Sequence, residues 1–246
     1  MRHTRIAFFD VDGTLTTDTT LFRFLRYYLA ALGHAPHVYE QRRQRLKAMT
    51  DIGVPREETN RAYFENFKGS SAPTVTRLAR EWFAAELRQG GFLNDHALAA
   101  LRRHQANGDP VVLVSGSFPA CLEPVAAHLG ADETWCTPPE ITHGHYTGRL
   151  IRPPMIGEAK AEAVLMVASA YRTTPSHCTA YGDHLSDVPM LSLTGSATVV
   201  GGDKDLRDLA RSRSWQLLPG APSTPACPGP PTAAPRTESP GRPQHN

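Results

Sequence analysis

Phe9-Asp10-Val11-Asp12-Gly13-Thr14-Leu15-Thr16 completes the apolar run that opens at Ile6, and this junction decides the fold. Apolar residues in unbroken succession, Ile6-Ala7-Phe8-Phe9, read as a strand buried on both faces, as in a parallel sheet. Two acids and a glycine follow at once, residue types that turn a chain sharply. In an open parallel sheet the carboxyl end of a strand is where ligands bind, so Asp10 and Asp12 stand at the expected place for chemistry.

Working outward, further runs of the same kind occur at Val111–Val114, Cys178–Tyr181 and Ala197–Val200, with a weaker one at Trp215–Leu218. Amphipathic stretches separate them: His96–Gln105, Pro119–Leu129, Glu158–Tyr171, Val188–Leu193 and Lys204–Arg211. The alternation predicts an α/β fold, a Rossmann-like parallel sheet with helices on both faces. The interval after the first strand breaks the pattern. Leu21–Leu32, Val38–Thr50, Glu57–Phe67 and Thr74–Gln89 all carry apolar residues at helical spacing, with plausible starts at Arg56-Glu57-Glu58 and Ser71-Ala72-Pro73. A small helical bundle is therefore expected as an insertion. The predicted organisation is an α/β core at 4–16 and 93–218, a helical cap at 17–92 and a tail at 219–246. The tail holds nine prolines and no apolar periodicity, and it is expected to be disordered. His145–Leu150 is expected to form a short strand or the edge of a flap.

Composition narrows the function classes. The chain has 246 residues, 40% hydrophobic and 20% charged, with 26 Lys+Arg against 24 Asp+Glu. A net charge of +2 leaves no electrostatic footprint for nucleic acid or for an anionic membrane. No stretch approaches the ~18 consecutive apolar residues of a membrane span. The apolar run after Met1–Arg5 is shorter than the ~7–15-residue core of a secretory signal. The four cysteines, at 121, 136, 178 and 227, form no CxxC pair and read as scattered reduced thiols. A cytoplasmic protein without nucleic-acid or membrane partners is expected, and no feature specifies an oligomeric state.

At the carboxyl ends of the later strands stand Ser115-Gly116-Ser117 and Gly182-Asp183-His184-Leu185-Ser186-Asp187, with Lys160 at the start of a helix between them. Carboxylates gathered on one rim repel unless a cation is present, and a set of hard oxygen ligands suits Mg²⁺. A carboxylate beside Mg²⁺ can attack phosphorus, and a second, two residues on, can protonate the leaving oxygen and later activate water. Lys160 and the backbone N–H groups around Ser115–Gly116 would neutralise phosphoryl oxygens. Duller readings exist for each piece: Asp10 and Asp12 as turn formers, Ser115–Ser117 as a strand-to-helix turn, Lys160 as a solvated helix residue.

The segment Phe9–Thr16 resembles the first motif, DxDGT, of haloacid-dehalogenase-superfamily phosphatases. Val114-Ser115-Gly116-Ser117 resembles their second motif, Lys160 the third, and Gly182-Asp183 through Asp187 the fourth. The helical insertion resembles the C1-type cap of the branch that contains phosphoserine phosphatases, subfamily IB, and the likeness spans about residues 5–218. The resemblance implies a phosphatase of a small phosphorylated metabolite, with Asp10 as nucleophile and Asp12 as general acid and base. It implies that Asp10, the backbone carbonyl of Asp12 and Asp183 ligate Mg²⁺, with Asp187 holding a metal-bound water or Lys160. Ser115 and Gly116 would bind the phosphoryl group and Thr14 would position it. Dehalogenases of the superfamily lack the acid that stands here at position 12. Two positions depart from phosphoserine phosphatases: Thr19 stands where they carry a Glu that grips the substrate amino group, and Ser186 where they carry Asn. Phosphoserine phosphatase proper, a phosphotransferase using the same intermediate, and a catalytically silent scaffold remain as alternatives. A phospho-acceptor signalling domain fits less well, since it lacks both the insertion and an acid placed like Asp12.

Overall fold

Strand β1 (Ala7–Phe9) is fully buried, and its residues alternate between two apolar clusters, Ala7 and Phe9 in one and Phe8 in the other. It pairs in parallel with β2 (Val111–Ser115) on one side and with β6 (Thr179–Gly182) on the other. The computed structural model describes residues 4–222 and 229–230. Within them a six-stranded, wholly parallel sheet runs in the order β3 (Glu133–Cys136), β2, β1, β6, β7 (Ser196–Val200), β8 (Gln216–Leu218). The chain steps outward from β1 to β3, then returns to the other side of β1 at β6. That reversal opens a crevice between the carboxyl ends of β1 and β6, the topological switch point of the sheet.

One face of the sheet is covered by α5 (Asp95–Ala106), α6 (Pro119–Leu129) and the insertion. The other is covered by α7 (Glu158–Ala170), α8 (Val188–Leu193) and α9 (Lys204–Ser212). Both faces being apolar explains why the strands read as unbroken hydrophobic runs. Strand β3 escaped that reading because it is an edge strand whose residues are only half-buried or exposed, so Glu133-Thr134-Trp135-Cys136 shows no such run. It raises the sheet from the five strands expected to six. The expected strand at His145–Leu150 forms as β5, in an antiparallel hairpin with β4 (Pro139–Thr142).

The insertion comprises α1 (Thr20–Ala31), α2 (Pro36–Asp51), α3 (Arg56–Tyr63), a 3-10 turn (Phe64–Phe67) and α4 (Ala72–Gln89). The helix expected over Glu57–Phe67 thus tightens after Tyr63. The chain enters and leaves side by side: Thr17 N–H donates to the Phe92 carbonyl at 2.9 Å and Asn94 N–H to that of Leu15 at 2.9 Å. Arg23 of α1 and Glu86 of α4 form a buried ion pair at 2.6 Å, and the Trp82 indole N–H donates to Glu86 at 2.7 Å. Of the tail expected at 219–246, residues 223–228 and 231–246 lie outside the described residues, as does Cys227. Among the described residues no helix is long and apolar enough to cross a membrane.

Phe118 joins the insertion to the core. It follows Ser117 directly and packs its ring against Phe67 at 5.3 Å, Phe64 at 5.5 Å, Phe24 at 6.1 Å and Tyr146 at 6.2 Å between centroids. Phe118→Ala removes the hub of this cluster and is expected to cost about 3–5 kcal/mol of stability in urea unfolding. A loss below about 1 kcal/mol would show that the aromatic contacts do not hold the two parts together.

Candidate active site

The acidic loop is shaped by backbone geometry at the end of β1. Asp10 N–H still donates to the Tyr181 carbonyl of β6 at 2.9 Å, and the chain then closes a tight turn in which Leu15 and Thr16 both donate to the Val11 carbonyl at 2.9 Å. Gly13 holds φ +87°, and a Cβ there would lie 2.2 Å from Asp183 Oδ2. Only glycine meets both demands, so the turn and the close approach of the β6 loop are one requirement.

Lys160, in the first turn of α7, is 3% exposed and donates from Nζ to Asp10 Oδ1 at 2.6 Å and to Asp187 Oδ1 at 2.7 Å. The other oxygen of Asp187 accepts the backbone N–H groups of Asp183 and His184, both at 3.1 Å, which wraps the loop after β6 around that carboxylate. Of the two roles left open for Asp187, the structure shows the contact with Lys160. Thr14 Oγ1 donates to Asp183 Oδ1 at 3.2 Å and lies 3.4 Å from Asp10 Oδ2. One carboxylate oxygen from each of Asp10, Asp183 and Asp187 falls within 4.8 Å of the others. The Asp12 carboxyl instead accepts the Thr20 N–H at the start of α1, at 2.7 Å, and the Thr20 hydroxyl donates to Ser117 Oγ at 2.9 Å.

Ser115 ends β2, two residues past Leu113, which pairs with Phe9 at the end of β1. Its Oγ accepts the Ser117 N–H at 3.0 Å. Gly116 turns its carbonyl to Thr137 Oγ1 and to Asn60 Nδ2, both at 2.9 Å. Asn60 lies on α3, as does Arg56, which donates to Ser186 Oγ at 3.2 Å. The insertion thus contacts both the second and fourth motif loops. Neither residue stood out in the sequence: Arg56 read only as a helix start, and a lone Asn on a helix carries no signal. Thr20 was likewise invisible, because a lone Thr at a helix start carries no signal and its contact with Asp12 is made by its backbone N–H. His184 accepts the Ser186 N–H at 3.0 Å and caps the short turn that follows. Asp18 accepts from Thr19 N–H at 2.7 Å and meets Arg23 at 3.4 Å, so it serves the insertion.

Burial pushes the Asp10 carboxyl above its ordinary range against the opposing pull of Lys160. Asp12 is raised to about 6, by burial first and then by Asp10. Asp183 is raised to about 9, by burial and then by the charges of Asp10 and Asp187. Lys160 is raised because its two carboxylate partners outweigh its burial. Among the described residues Asp183 makes no ion pair. An all-oxygen cluster in which one carboxyl has no cationic partner suits a hard divalent cation such as Mg²⁺. In the metal-free protein, carboxyls raised above 3.8 bind protons that the unfolded chain has released, so their contribution to stability falls as pH rises from about 4 to about 9. Lys160, also raised, adds a loss of the same sign only at higher pH, where the unfolded chain releases its proton first. In EDTA, the melting temperature is expected to fall from pH 5 to pH 9, and the stabilisation by added Mg²⁺ to be larger at pH 8 than at pH 5. Calorimetry showing the larger Mg²⁺ shift at pH 5 would contradict this charge balance.

With this geometry in hand, comparison with known proteins is specific. A family model described as haloacid dehalogenase-like hydrolase matches residues 7–192. A phosphoserine phosphatase of Mycobacterium tuberculosis, SerB1, is 30% identical over 222 residues, covering 87% of this chain and 70% of that protein. The crystal structure of a Bordetella pertussis protein of unknown function aligns with a TM-score of 0.79 at 25% identity, over 88% of this chain and 99% of that one. A substrate-bound phosphoserine phosphatase aligns with a TM-score of 0.65 at 17% identity, over 89% and 93% of the two chains, a likeness of fold alone. The motif order, the switch-point loops and these matches agree: the chain belongs to the haloacid dehalogenase-like hydrolase family.

Proposed function

We propose that the protein is a Mg²⁺-dependent phosphomonoesterase that hydrolyses a small phosphorylated metabolite through an aspartyl-phosphate on Asp10. The observation that carries this reading is the buried Lys160 ammonium bridging Asp10 and Asp187 beside Asp183 at the switch point. Asp10 and Asp183, with the backbone carbonyl of Asp12, would hold the metal. Bound there, Mg²⁺ would supply positive charge against the phosphoryl oxygens.

In the first half-reaction an Asp10 oxygen attacks phosphorus, the ester P–O bond breaks, and the Asp12 carboxyl gives its proton to the leaving oxygen. In the second, Asp12 as carboxylate takes a proton from water, whose oxygen attacks the same phosphorus, freeing phosphate and restoring Asp10. A pKa of about 6 suits Asp12 to both tasks near neutral pH. Lys160 holds Asp10 in place and, with Thr14, Ser115 and the Gly116 backbone, receives the phosphoryl group. The contacts of Asn60 and Arg56 with the motif loops support a cap that closes over the site and excludes bulk water. The free thiols of Cys121, Cys136 and Cys178 accord with a cytoplasmic setting. The relative's name favours phosphoserine as the substrate, whereas Thr19 offers no carboxylate for an amino group.

The test is phosphate release from a panel of phosphorylated metabolites, phosphoserine among them, with Mg²⁺ and with EDTA. Release is expected only with Mg²⁺. Asp10→Asn should abolish it, and Asp12→Asn should lower kcat by about 10²–10⁴-fold on substrates with poor leaving groups. Asp183→Asn should raise the Mg²⁺ concentration needed for half-maximal rate. Near-normal turnover by Asp10→Asn would overturn the mechanism.

A further inference from the structure

A groove of about 630 Å³ opens between α2, the 3-10 turn and β5, and it shares no lining residue with the acidic pit. Arg42, Arg45, Lys68 and Arg149 line it, against the single carboxylate of Glu65. Its size falls within the ~300–1,000 Å³ of small-molecule sites. The guanidinium groups are held in place by neighbours. Arg42 Nη1 donates to Asn66 Oδ1 at 3.2 Å, Arg45 pairs with Glu65 at 2.8 Å, and Arg149 pairs at 3.0 Å with Glu140, which stands outside the groove lining. Lys68 has no ion pair among the described residues, and a surplus of positive charge remains even when Glu140 is counted.

The hairpin is built irregularly at this place. Tyr146 pairs with Ile141 and Leu150 with Pro139, so Thr147, Gly148 and Arg149 together face Glu140 alone. Gly148 holds φ +85°, and a Cβ there would lie 3.2 Å from Lys68 Cβ and 3.5 Å from the Glu65 Cα. A bulge of this kind re-aims side chains and often marks a functional edge. Here it brings the hairpin backbone against the 3-10 turn, so that Arg149 and the cations of the insertion border one cavity.

We propose that this groove binds a small soluble polyanion carrying two or more linked phosphate groups. Arginine forks match phosphate oxygens in pairs, and a charge surplus spread over several heads favours a diphosphate over a monophosphate. The groove's volume suits a small molecule, and the chain's net charge of +2 offers no wider basic surface for a nucleic-acid strand. A ligand seated there would span α2 of the insertion and the β4–β5 hairpin.

The experiment is isothermal titration of the full-length protein with inorganic pyrophosphate in EDTA, with hydrogen exchange followed in parallel. Its readout is binding, so it stands whether or not the protein turns over any phosphomonoester. Pyrophosphate is expected to bind at least about tenfold more tightly than orthophosphate, as one added charge-assisted contact would give, and to protect residues 65–68 and 145–150. The double variant Arg45→Gln/Arg149→Gln, at positions whose side chains are 64% and 75% exposed, should keep the wild-type melting temperature and lose at least about tenfold in affinity. Arg45→Lys/Arg149→Lys should retain part of it, because the charge stays while the forks are lost. Absence of binding at millimolar pyrophosphate, protection confined to residues 115–117 and 183–187, or unchanged affinity in the Gln double variant would overturn the proposal.

Discussion

The Lys160 ammonium, 2.6 Å from Asp10 and 2.7 Å from Asp187, is the contact on which the rest of the site depends. Three carboxyls packed at the ends of two neighbouring strands cannot all stay charged and buried without compensation, and an unpaired buried charge costs several kcal/mol. One lysine compensates part of that charge. The remainder is met by protons, which is why Asp10 and Asp183 are pushed above their ordinary range, or by a bound cation. The same contact fixes the backbone. Asp187, held by Lys160 through one oxygen, gathers the N–H groups of Asp183 and His184 with the other, and that sets where the Asp183 carboxyl points. Gly13 completes the arrangement by letting the β1 turn come within contact of Asp183.

Around the pit, the insertion and the core are joined by apolar packing on one side and by directed hydrogen bonds on the other. Phe118 anchors the Ser115–Ser117 end of β2 in the aromatic cluster of the insertion, while Thr20 links both Asp12 and Ser117 to the start of α1. A movement of α1 would therefore move the hydrogen-bond partner of the Asp12 carboxyl. Under the proposed mechanism, this connection would couple the position of the insertion to proton transfer at Asp12.

Much of this was legible in the sequence, for reasons that are local. The strand Ile6–Phe9 announced itself because both faces of β1 are buried, and Asp10, Asp12 and Gly13 because a turn at a parallel strand's carboxyl end is where such residues do chemistry. The helices of the insertion followed from apolar spacing, as did α5 to α9. What stayed hidden was set by tertiary position. Strand β3 is an edge strand whose residues are half-buried or exposed, and β4 is a short strand with a single buried residue, Pro139. Asn60 and Arg56 matter only because α3 folds back over residues distant in sequence. Arg42 and Arg45 are far in sequence from Arg149, and only the fold shows that the three share a groove.

Membership of the haloacid dehalogenase-like hydrolase family, with relatives named as phosphatases, sets the chemistry in a class, and the proposed role of Asp12 accords with it. The most direct measurement is mass spectrometry of the protein quenched in acid during turnover of its best phosphomonoester substrate. A phosphoryl adduct on the peptide containing Asp10, lost on treatment with hydroxylamine and absent from Asp10→Asn, is the predicted result. Sustained phosphate release with no adduct under conditions where dephosphorylation is slowed, or an adduct on a different residue, would contradict the assignment of Asp10 as the nucleophile.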